Sequence, residues 1–506
     1  MSSTRKLFYN TILLTAASFL MRTVAVSFNV YLTNRIGEDG IGLFQLIFAV
    51  YTLAITFAAS GIRLAAMRLT ADSTAKGENN HRQVMRHCLI YSVICGTAAA
   101  LAMMFFSELI GTKWIGDTRS VSSLKTLCFC LPFVSMSDAL DGYFTAIGKL
   151  GRYTVVQFAE QVFKITVTVI ALNRVTEKNA GASCAAVALV ITSAEIFSLT
   201  CSYILYRLSL NKQNSRSKNV LGRLLHISVP DAVGAEMRSV LMTVEHLLIP
   251  AGFRKSGSNP QTALATYGVI HGMSLPLVLY PSALLSSLSC LLVPEVSAQH
   301  IGGNEDKISR IIAKVLHMTL IFSIGTAGIM YFNAEKLSLA VYGTADAAFY
   351  VQVFSPLIPV MYADMSVDGM LKGLDQQVSY MRYNIIDASI CVILVYFLVP
   401  ILSFRGYIIV VFVSELVNFF LSFRRLTKVA EVRIEFFRDM LIPFLCVISA
   451  NLFKNILFAA FPISAGIKSD AAAEIIFSVL LYALMIMIFR SVDKEELLWI
   501  KRTVKP

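Results

Sequence analysis

Long apolar stretches alternate with short polar connections along almost the whole chain. A helix needs about 20 apolar residues to cross a hydrocarbon core of roughly 30 Å, and about fourteen stretches are long enough. The pattern therefore predicts an all-α, polytopic membrane protein with about 14 transmembrane helices. The predicted spans are 7–34, 41–66, 85–107, 124–147, 153–173, 181–206, 225–250, 266–293, 311–332, 350–371, 380–402, 406–423, 439–461 and 472–489.

Composition supports this prediction. Hydrophobic residues make up 56% of the chain, charged residues make up 15%, and the mean hydropathy is +0.66. Soluble globular proteins are much less apolar. The first apolar run, from Leu7 to Leu32, is too long for the h-region of a signal peptide and contains Arg22. We expect it to be a retained first span.

Lysine and arginine are concentrated at the N-terminus, in the even-numbered connections and in the C-terminal tail. Positively charged connections face the cytoplasm, so both termini are predicted to be cytoplasmic in a multi-pass protein of the cell membrane. This distribution also accounts for much of the net charge of +12. No nucleic-acid partner is predicted, since no zinc-finger spacing or aromatic RNA-binding motif is found.

Motifs for catalysis or cofactor binding are not found in the sequence. The nearest match, "GYFTAIGKL" (142–150), has five residues between its glycines where a phosphate-binding loop has four, and leucine follows the lysine. The nine cysteines show no metal-ligand spacing. We therefore predict neither catalytic residues, nor a cofactor, nor a metal site.

The chain contains an internal repeat. The segment "DGYFTAIGKLGRY" (141–153) is echoed by "DGMLKGLDQQVSY" (368–380) at an offset of 227, and "LMRTV" (20–24) is echoed by "EMRSV" (236–240). Six spans are an even number, so both copies enter from the same side, as in parallel-repeat transporters. This arrangement predicts two pseudo-symmetric six-helix lobes with a transport route where they meet.

The predicted division has four parts. They are an N-terminal lobe (1–206), a basic cytoplasmic linker (207–224), a C-terminal lobe (225–426), and a two-helix appendix with a cytoplasmic tail (427–506). In the repeated motifs, a carboxylate can satisfy backbone donors and glycine permits close packing. We therefore predict structural or gating roles for Asp141, Gly142, Asp368 and Gly369.

Charged residues inside the spans indicate a candidate site. An arginine in mid-membrane is costly and normally faces water, a partner or a ligand, and its planar fork suits phosphate. Asp231, Arg238 and Glu245 recur every seven residues and form one polar line, and Gln45, Thr52, Thr56 and Arg63 fall within about 20° of one helical face at 100° per residue. The predicted substrate-binding residues of a central cavity are Arg22, Arg63, Arg238, Asp231, Glu245 and Gln45.

Structural pairing is the alternative interpretation of these charges. Arg238 has Asp231 and Glu245 as candidate partners on its own helix. Glu160 and Lys164 are four residues apart, a spacing at which they can neutralise each other, and we predict a structural or gating role for this pair.

The segment 35–72, "RIGEDGIGLFQLIFAVYTLAITFAASGIRLAAMRLTAD", resembles the polysaccharide-transporter branch of the MOP flippase superfamily. The residues that match the family pattern are Arg35, Gly37, Glu38, Gly40, Ile41, Gly42, Leu43, Phe44, Gln45, Leu46, Thr56, Ala58, Gly61 and Ile62. The resemblance extends more weakly through the rest of the chain, including "VPEVS" (293–297). The family has proline after Gly-Ile, whereas this chain has Arg63, which puts the local bend in question.

The resemblance implies two six-helix lobes around a V-shaped cavity, alternating access, and an undecaprenyl-diphosphate-linked saccharide as cargo. The saccharide would serve the cell wall, the spore cortex or another polysaccharide. Neither the glycan nor the coupling ion, proton or sodium, is specified by the sequence.

Two alternative functions are open. A MATE-like multidrug or cation antiporter of the same superfamily would hold cations with acidic residues, for which Asp231, Glu236, Glu245, Asp141 and Asp368 are candidates. A membrane-embedded polysaccharide polymerase or acyltransferase would need a large outer loop, and the predicted outer connections are shorter than about 20 residues.

Overall fold

The computed structural model describes residues 3–75, 80–175, 179–209, 220–285, 302–432, 435–460, 467–489 and the single positions 293, 296, 297, 299, 300 and 491. The side chains of 3–19, 22, 75, 150, 467 and 468 are outside the described residues. Within these ranges the chain is helical and has no β-strand, which confirms the predicted all-α class.

The helices follow one another with short connections. In chain order they are α1 (Ser3–Ala59), α2 (Ile62–Ala75), α3 (His81–Leu109), α4 (Arg119–Cys128), α5 (Leu131–Ala146), α6 (Leu150–Arg174), α7 (Ala180–Ser209), α8 (Val220–Lys255), α9 (Pro260–Gly268), α10 (Leu275–Leu279), α11 (Glu305–Phe332), α12 (Ala334–Tyr342), α13 (Ala348–Phe354), α14 (Ile358–Gly373), α15 (Gln377–Val429), α16 (Ile442–Ala460) and α17 (Ile467–Ile488). Single π-helical turns at Ile110–Ile115, Val269–Ser274 and Phe437–Leu441 adjoin α3, α10 and α16.

Two of these helices each contain a single-residue break. Gly37 interrupts α1 with φ 79° and ψ 176°, a conformation that glycine adopts without steric cost. Ser403 interrupts α15 with φ 52° and ψ −135°. The first and second predicted spans, and likewise the eleventh and twelfth, are therefore the two arms of one helical element.

A further break, at Ser60 and Gly61, separates α1 from α2. Both residues have positive φ, 40° and 68° respectively. The prediction that Arg63 shares a helical face with Gln45 was wrong, because helical periodicity does not continue through two non-helical residues. The chain thus bends here without the family's proline, since Ser60 and Gly61 form the bend.

Nine helical segments among the described residues are long and apolar enough to cross a membrane, and the bent pair α4 and α5 would be a tenth. Two of the nine, Thr23–Thr74 and Gln377–Val429, contain 52 and 53 residues, and each is long enough for two crossings. Helix α8 has sufficient length but is more polar, with Asp231, Glu236 and Arg238 near its middle. The count of 14 stays a prediction.

The chain divides into two compact units that each combine distant segments. The first unit comprises Met1–Asn34, Val269–Cys391 and Tyr407–Pro506, and the second comprises Arg35–Gly268 and Val392–Gly406. Helix α8, which the predicted division assigned to the C-terminal lobe, packs against α2 and α3 in the second unit. The predicted lobe boundaries stay a prediction.

Each unit has its own apolar core. In the second unit, α2, α3 and α5 bury residues such as Ile62, Met85 and Phe144 against one another. In the first unit, α11 and α14 bury Ile312 and Val367.

The helix boundaries repeat along the chain. Helices α5 and α14 both contain 16 residues, and α14 begins and ends 227 positions after α5. Helix α15 begins at the same offset from α6. The offset read from the two Asp-Gly motifs is therefore also the offset between the helices that carry them.

Within the first unit, the last two helices are held to α12 by a largely buried charge cluster. Lys454 of α16 donates to Asn333 Oδ1 over 2.7 Å and lies 3.5 Å from Glu474 of α17. Lys336 of α12 forms an ion pair with the same carboxylate. Lys454, a charged residue within a predicted span, is thus an anchor between these helices.

Candidate functional site

The bend between α1 and α2 brings Arg63 to the buried end of α5. Arg63 Nη2 lies 2.5 Å from Asp141 Oδ2. The side chain of Asp141 is only 2% exposed, whereas that of Arg63 is 62% exposed. The other carboxylate oxygen, Asp141 Oδ1, has no hydrogen-bond partner among the described residues. Since a buried charge is costly unless it is paired, Arg63 is the group that compensates Asp141.

Two glycines allow backbone contact around this pair. A Cβ atom on Gly61 would lie 2.4 Å from the carbonyl oxygen of Ser228 in α8, and one on Gly142 would lie 2.3 Å from the carbonyl oxygen of Arg63. Neither distance is sterically allowed, so α8 and α5 each approach the bend where only hydrogen fits. Gly142 thereby has the close-packing geometry expected for a structural glycine.

Helix α8 carries the predicted polar line, which consists of Asp231, Arg238 and Glu245. Arg238 is exposed, whereas Asp231 and Glu245 are half-buried. Within the part of the chain that the structure describes, Arg238 has no carboxylate within 4.0 Å. The structural pairing of Arg238 with either acid on its own helix is therefore not formed.

The second arm of α1 lies against α8. Thr56 Oγ1 and Ser239 Oγ are 3.2 Å apart, and Thr243 Oγ1 donates to the carbonyl oxygen of Ala49 over 3.3 Å. Gln45 is half-buried on the same arm. The second unit thus places Gln45, Thr56 and the α8 polar line on two neighbouring helices.

Arg22 lies in the first arm of α1, and its side chain is outside the described residues. Its neighbour Thr23 hydrogen-bonds the hydroxyl of Tyr280 at 3.0 Å, and Asn29 Nδ2 donates to the carbonyl oxygen of Gly272 over 2.7 Å. These contacts fix the arm within the first unit. The binding role of Arg22 stays a prediction.

Glu160 and Lys164 of α6 do not form an ion pair within 4.0 Å in the described structure. They lie instead in a larger charged group, because Glu195 of α7 is within electrostatic range of both and of Asp138 in α5. The sequence reading missed Asp138 and Glu195, since the four residues come from three helices that only the fold brings together.

The first unit contains an acidic group on α14 and α15. Asp364 accepts a hydrogen bond from Asn418 Nδ2 over 2.8 Å, and Ser422 Oγ lies 3.5 Å from Asp368 Oδ1. Ser414 donates to Asp387 over 2.5 Å. Gly369 is buried beside Asp368 in α14.

This group includes two buried oxygens, Asp364 Oδ1 and Asn418 Oδ1, that have no hydrogen-bond partner among the described residues. Such an arrangement can hold a proton or a small cation. Four-residue spacing, 364 and 368 on one helix and 414, 418 and 422 on the other, is the signal that could have revealed it. No cluster of three His, Cys, Asp or Glu side chains suited to a metal ion is present in the described ranges.

Comparisons with known proteins agree along nearly the whole chain. The family model described as polysaccharide biosynthesis protein matches residues 7–294. Stage V sporulation protein B of Bacillus subtilis (strain 168) is 22% identical over 505 residues, which cover 96% of each chain. The resemblance predicted from residues 35–72 is thereby confirmed.

Two solved structures have the same fold. Lipid II flippase MurJ in its inward closed conformation matches with a TM-score of 0.71, over 94% of this chain and 98% of that one, at 12% identity. An inward-facing multidrug resistance MATE family transporter of the MOP superfamily matches with a TM-score of 0.63, over 81% of this chain and 95% of that one, also at 12% identity.

Proposed function

Because this chain belongs to the polysaccharide biosynthesis protein family, we propose that it is a flippase for undecaprenyl-diphosphate-linked saccharides, working by alternating access. The observation that carries this proposal is that the chain matches two proteins over nearly their full length, stage V sporulation protein B in sequence and the lipid II flippase MurJ in fold. The saccharide would be a precursor of the cell wall, the spore cortex or another polysaccharide.

The exposed arginine of α8 supports an anionic cargo. Arg238 has no acidic partner within 4.0 Å among the described residues, although a mid-membrane arginine is costly unless water, a partner or a ligand receives it. A guanidinium group presents two parallel donors to phosphate oxygens, so a diphosphate is a suitable ligand. We propose Arg238 as a diphosphate contact in the second unit, with the exposed side of Arg63 as a further donor, and the binding role of Arg22 in the first unit stays a prediction.

The chain is a multi-pass membrane protein, and its orientation is part of the proposal. The excess of lysine and arginine in the even-numbered connections supports cytoplasmic termini and placement in the cytoplasmic membrane. In this orientation the saccharide precursor would be collected from the cytoplasmic leaflet.

The acidic group of the first unit bears on both coupling and the alternative function. We propose that Asp364, with its unpartnered buried oxygen, holds a proton or sodium ion during transport. In a MATE-like antiporter the same group would instead hold the exported cation. The family match and both fold matches favour transport over a polysaccharide polymerase or acyltransferase.

Native mass spectrometry of the purified protein tests the proposed cargo. We expect a retained lipid with the mass of an undecaprenyl diphosphate carrying a saccharide, and we expect Arg238→Gln to lose it. Arg152→Gln is the matched control, since Arg152 is an exposed arginine of the same unit at the start of α6. Absence of any polyprenyl lipid, together with binding of cationic drugs that Asp364→Asn abolishes, would establish the antiporter instead.

A further inference from the structure

A groove of about 440 Å³ opens on the surface of the second unit, on the side of α3 and α7. Both helices pack against α5, and they make little direct contact with each other. The base of the groove is aromatic, because the buried Tyr206 of α7 stacks edge-on against Tyr143 of α5 with ring centroids 5.1 Å apart. The groove is thus formed by rigid helices rather than by a loop.

One end of the groove is strongly cationic. Arg82 and Arg86 come from the first turns of α3, and Arg207 comes from the last turn of α7. Arg82 and Arg207 are both within electrostatic range of the Tyr206 hydroxyl, and the guanidinium of Arg207 lies 5.7 Å from the ring centroid of Tyr203. All three arginines line this one groove.

These arginines are not neutralised within the protein that the structure describes. The described lining of the groove contains no carboxylate, and the three arginines have no ion pair with any described residue. Three uncompensated guanidinium groups that line one groove strongly favour an anion.

The rest of the groove is aliphatic. From Arg86 the lining continues along α3 through Leu89, Ile90, Val93 and Ile94, and Ile94 is 63% exposed. The spacing of three and four residues keeps these side chains on one face of the helix, and they extend about 12 Å beyond Arg86 at 1.5 Å per residue. The exposed aliphatic stripe lies within an apolar span, His81–Ile115, where its neighbours would be acyl chains.

We propose that this groove binds an anionic phospholipid. Its phosphate would lie between the arginines, and the part of one acyl chain nearest the head group would lie along Leu89–Ile94. Basic recesses between transmembrane helices recognise anionic head groups in this way. A soluble anion would use the charged end but would leave the aliphatic stripe uncovered. The bound lipid is a resident of the second unit, and its binding does not require that the protein flips any cargo.

Lipid titration of the purified full-length protein in neutral detergent, followed by native mass spectrometry, tests this proposal. We expect phosphatidylglycerol to bind more tightly than phosphatidylcholine. Arg86→Gln and Arg207→Gln should each weaken phosphatidylglycerol binding roughly fivefold, the effect of removing one basic group that faces an anionic head group. Arg152→Gln, which removes an exposed arginine of the same unit outside the groove, should leave the affinity unchanged.

The aliphatic stripe allows a second test of the proposal. Ile94→Asn should weaken binding of phosphatidylglycerol, and inorganic phosphate at millimolar concentration should fail to displace the lipid from the wild-type protein. Thermal unfolding midpoints within the error of the wild type would show that the variants are folded.

Three results would overturn the proposal. One is equal binding of the two lipids by the wild type, and another is an equal loss in Arg152→Gln and the groove variants. The third is displacement of the lipid by inorganic phosphate combined with unchanged binding in Ile94→Asn, which would identify a soluble anion as the ligand. Loss of this site would leave the polyprenyl-lipid result unaffected, so the two proposals fail separately.

Discussion

Arg63 and Asp141 differ in how far the protein buries each side chain, and this difference determines what each contributes to stability. The Asp141 side chain is almost fully buried, whereas the Arg63 side chain is largely exposed. Removing the arginine would leave a buried charge without its partner, which costs more than the interaction itself is worth. Removing the carboxylate would leave an arginine that is largely exposed and no buried charge that lacks a partner.

We expect Arg63→Gln to destabilise the protein more than Asp141→Asn. The arginine variant should lose about 1–3 kcal/mol through the unpaired buried carboxylate, and the aspartate variant should lose less than about 1 kcal/mol. The double variant should recover part of the loss of Arg63→Gln, since it contains neither charge. Thermal unfolding of the detergent-solubilised protein measures all three. A stable Arg63→Gln variant that no longer transports cargo would instead make Arg63 a substrate contact.

At the scale of helices, the bend between α1 and α2 shows how a glycine can replace a proline. Gly61 provides both the positive φ and the absence of a Cβ atom where α8 passes at backbone distance. Gly148 has the same φ of 68°, but no atom lies within 4 Å of the position of its Cβ. Comparing the two glycines therefore separates the cost of a positive φ for a residue with a side chain from the cost of displacing α8.

Substitution of each glycine by alanine tests this account. Gly148→Ala should cost about 1–2 kcal/mol, the penalty of a left-handed conformation for a residue with a side chain. Gly61→Ala should cost about 1–3 kcal/mol more, because α8 must move away from the bend. Folded yield and thermal unfolding measure the difference. Equal losses in the two variants would show that close packing of α8 is not required.

The charge cluster between α12, α16 and α17 gives a prediction about how the last two helices are held. Lys454 and Glu474 are 4% and 9% exposed, whereas Lys336 is 52% exposed. Lys454→Gln should therefore cost about 3–5 kcal/mol, as for a broken buried pair, while Lys336→Gln should cost less than about 1 kcal/mol. Limited proteolysis of the last two helices and thermal unfolding give the comparison. A larger loss in Lys336→Gln would contradict it.

Much of the helical architecture follows from sequence patterns, because apolar length and the Asp-Gly echo are local signals. The repeat offset of 227 is reproduced by the boundaries of α5 and α14. The break at Ser60 was not predicted, because projecting residues 45–63 onto one helical face assumes that the helix is continuous. Glu195 and Asp364 were missed for a different reason: their significance depends on neighbours from other helices, which no single stretch of sequence contains.

At the scale of the whole molecule, each unit contains a candidate site for a charged ligand. The second unit presents the exposed Arg238 on α8, and the first unit contains the buried acidic group around Asp364. An anionic cargo and a coupling cation would each have a matching site in one unit. These two candidate sites are the physical basis for proposing a flippase that is driven by a cation.

The most direct test of this account is transport of a fluorescent undecaprenyl-diphosphate saccharide in proteoliposomes, read by its exposure to an impermeant quencher. We predict translocation by the wild type and by Arg152→Gln. Arg238→Lys should retain part of the rate, because it keeps the charge but loses the bidentate fork. Arg238→Gln should be slower by roughly tenfold or more, the cost of one lost charge-assisted hydrogen bond. Translocation by Arg238→Gln at the wild-type rate, or none by the wild type, would contradict the account.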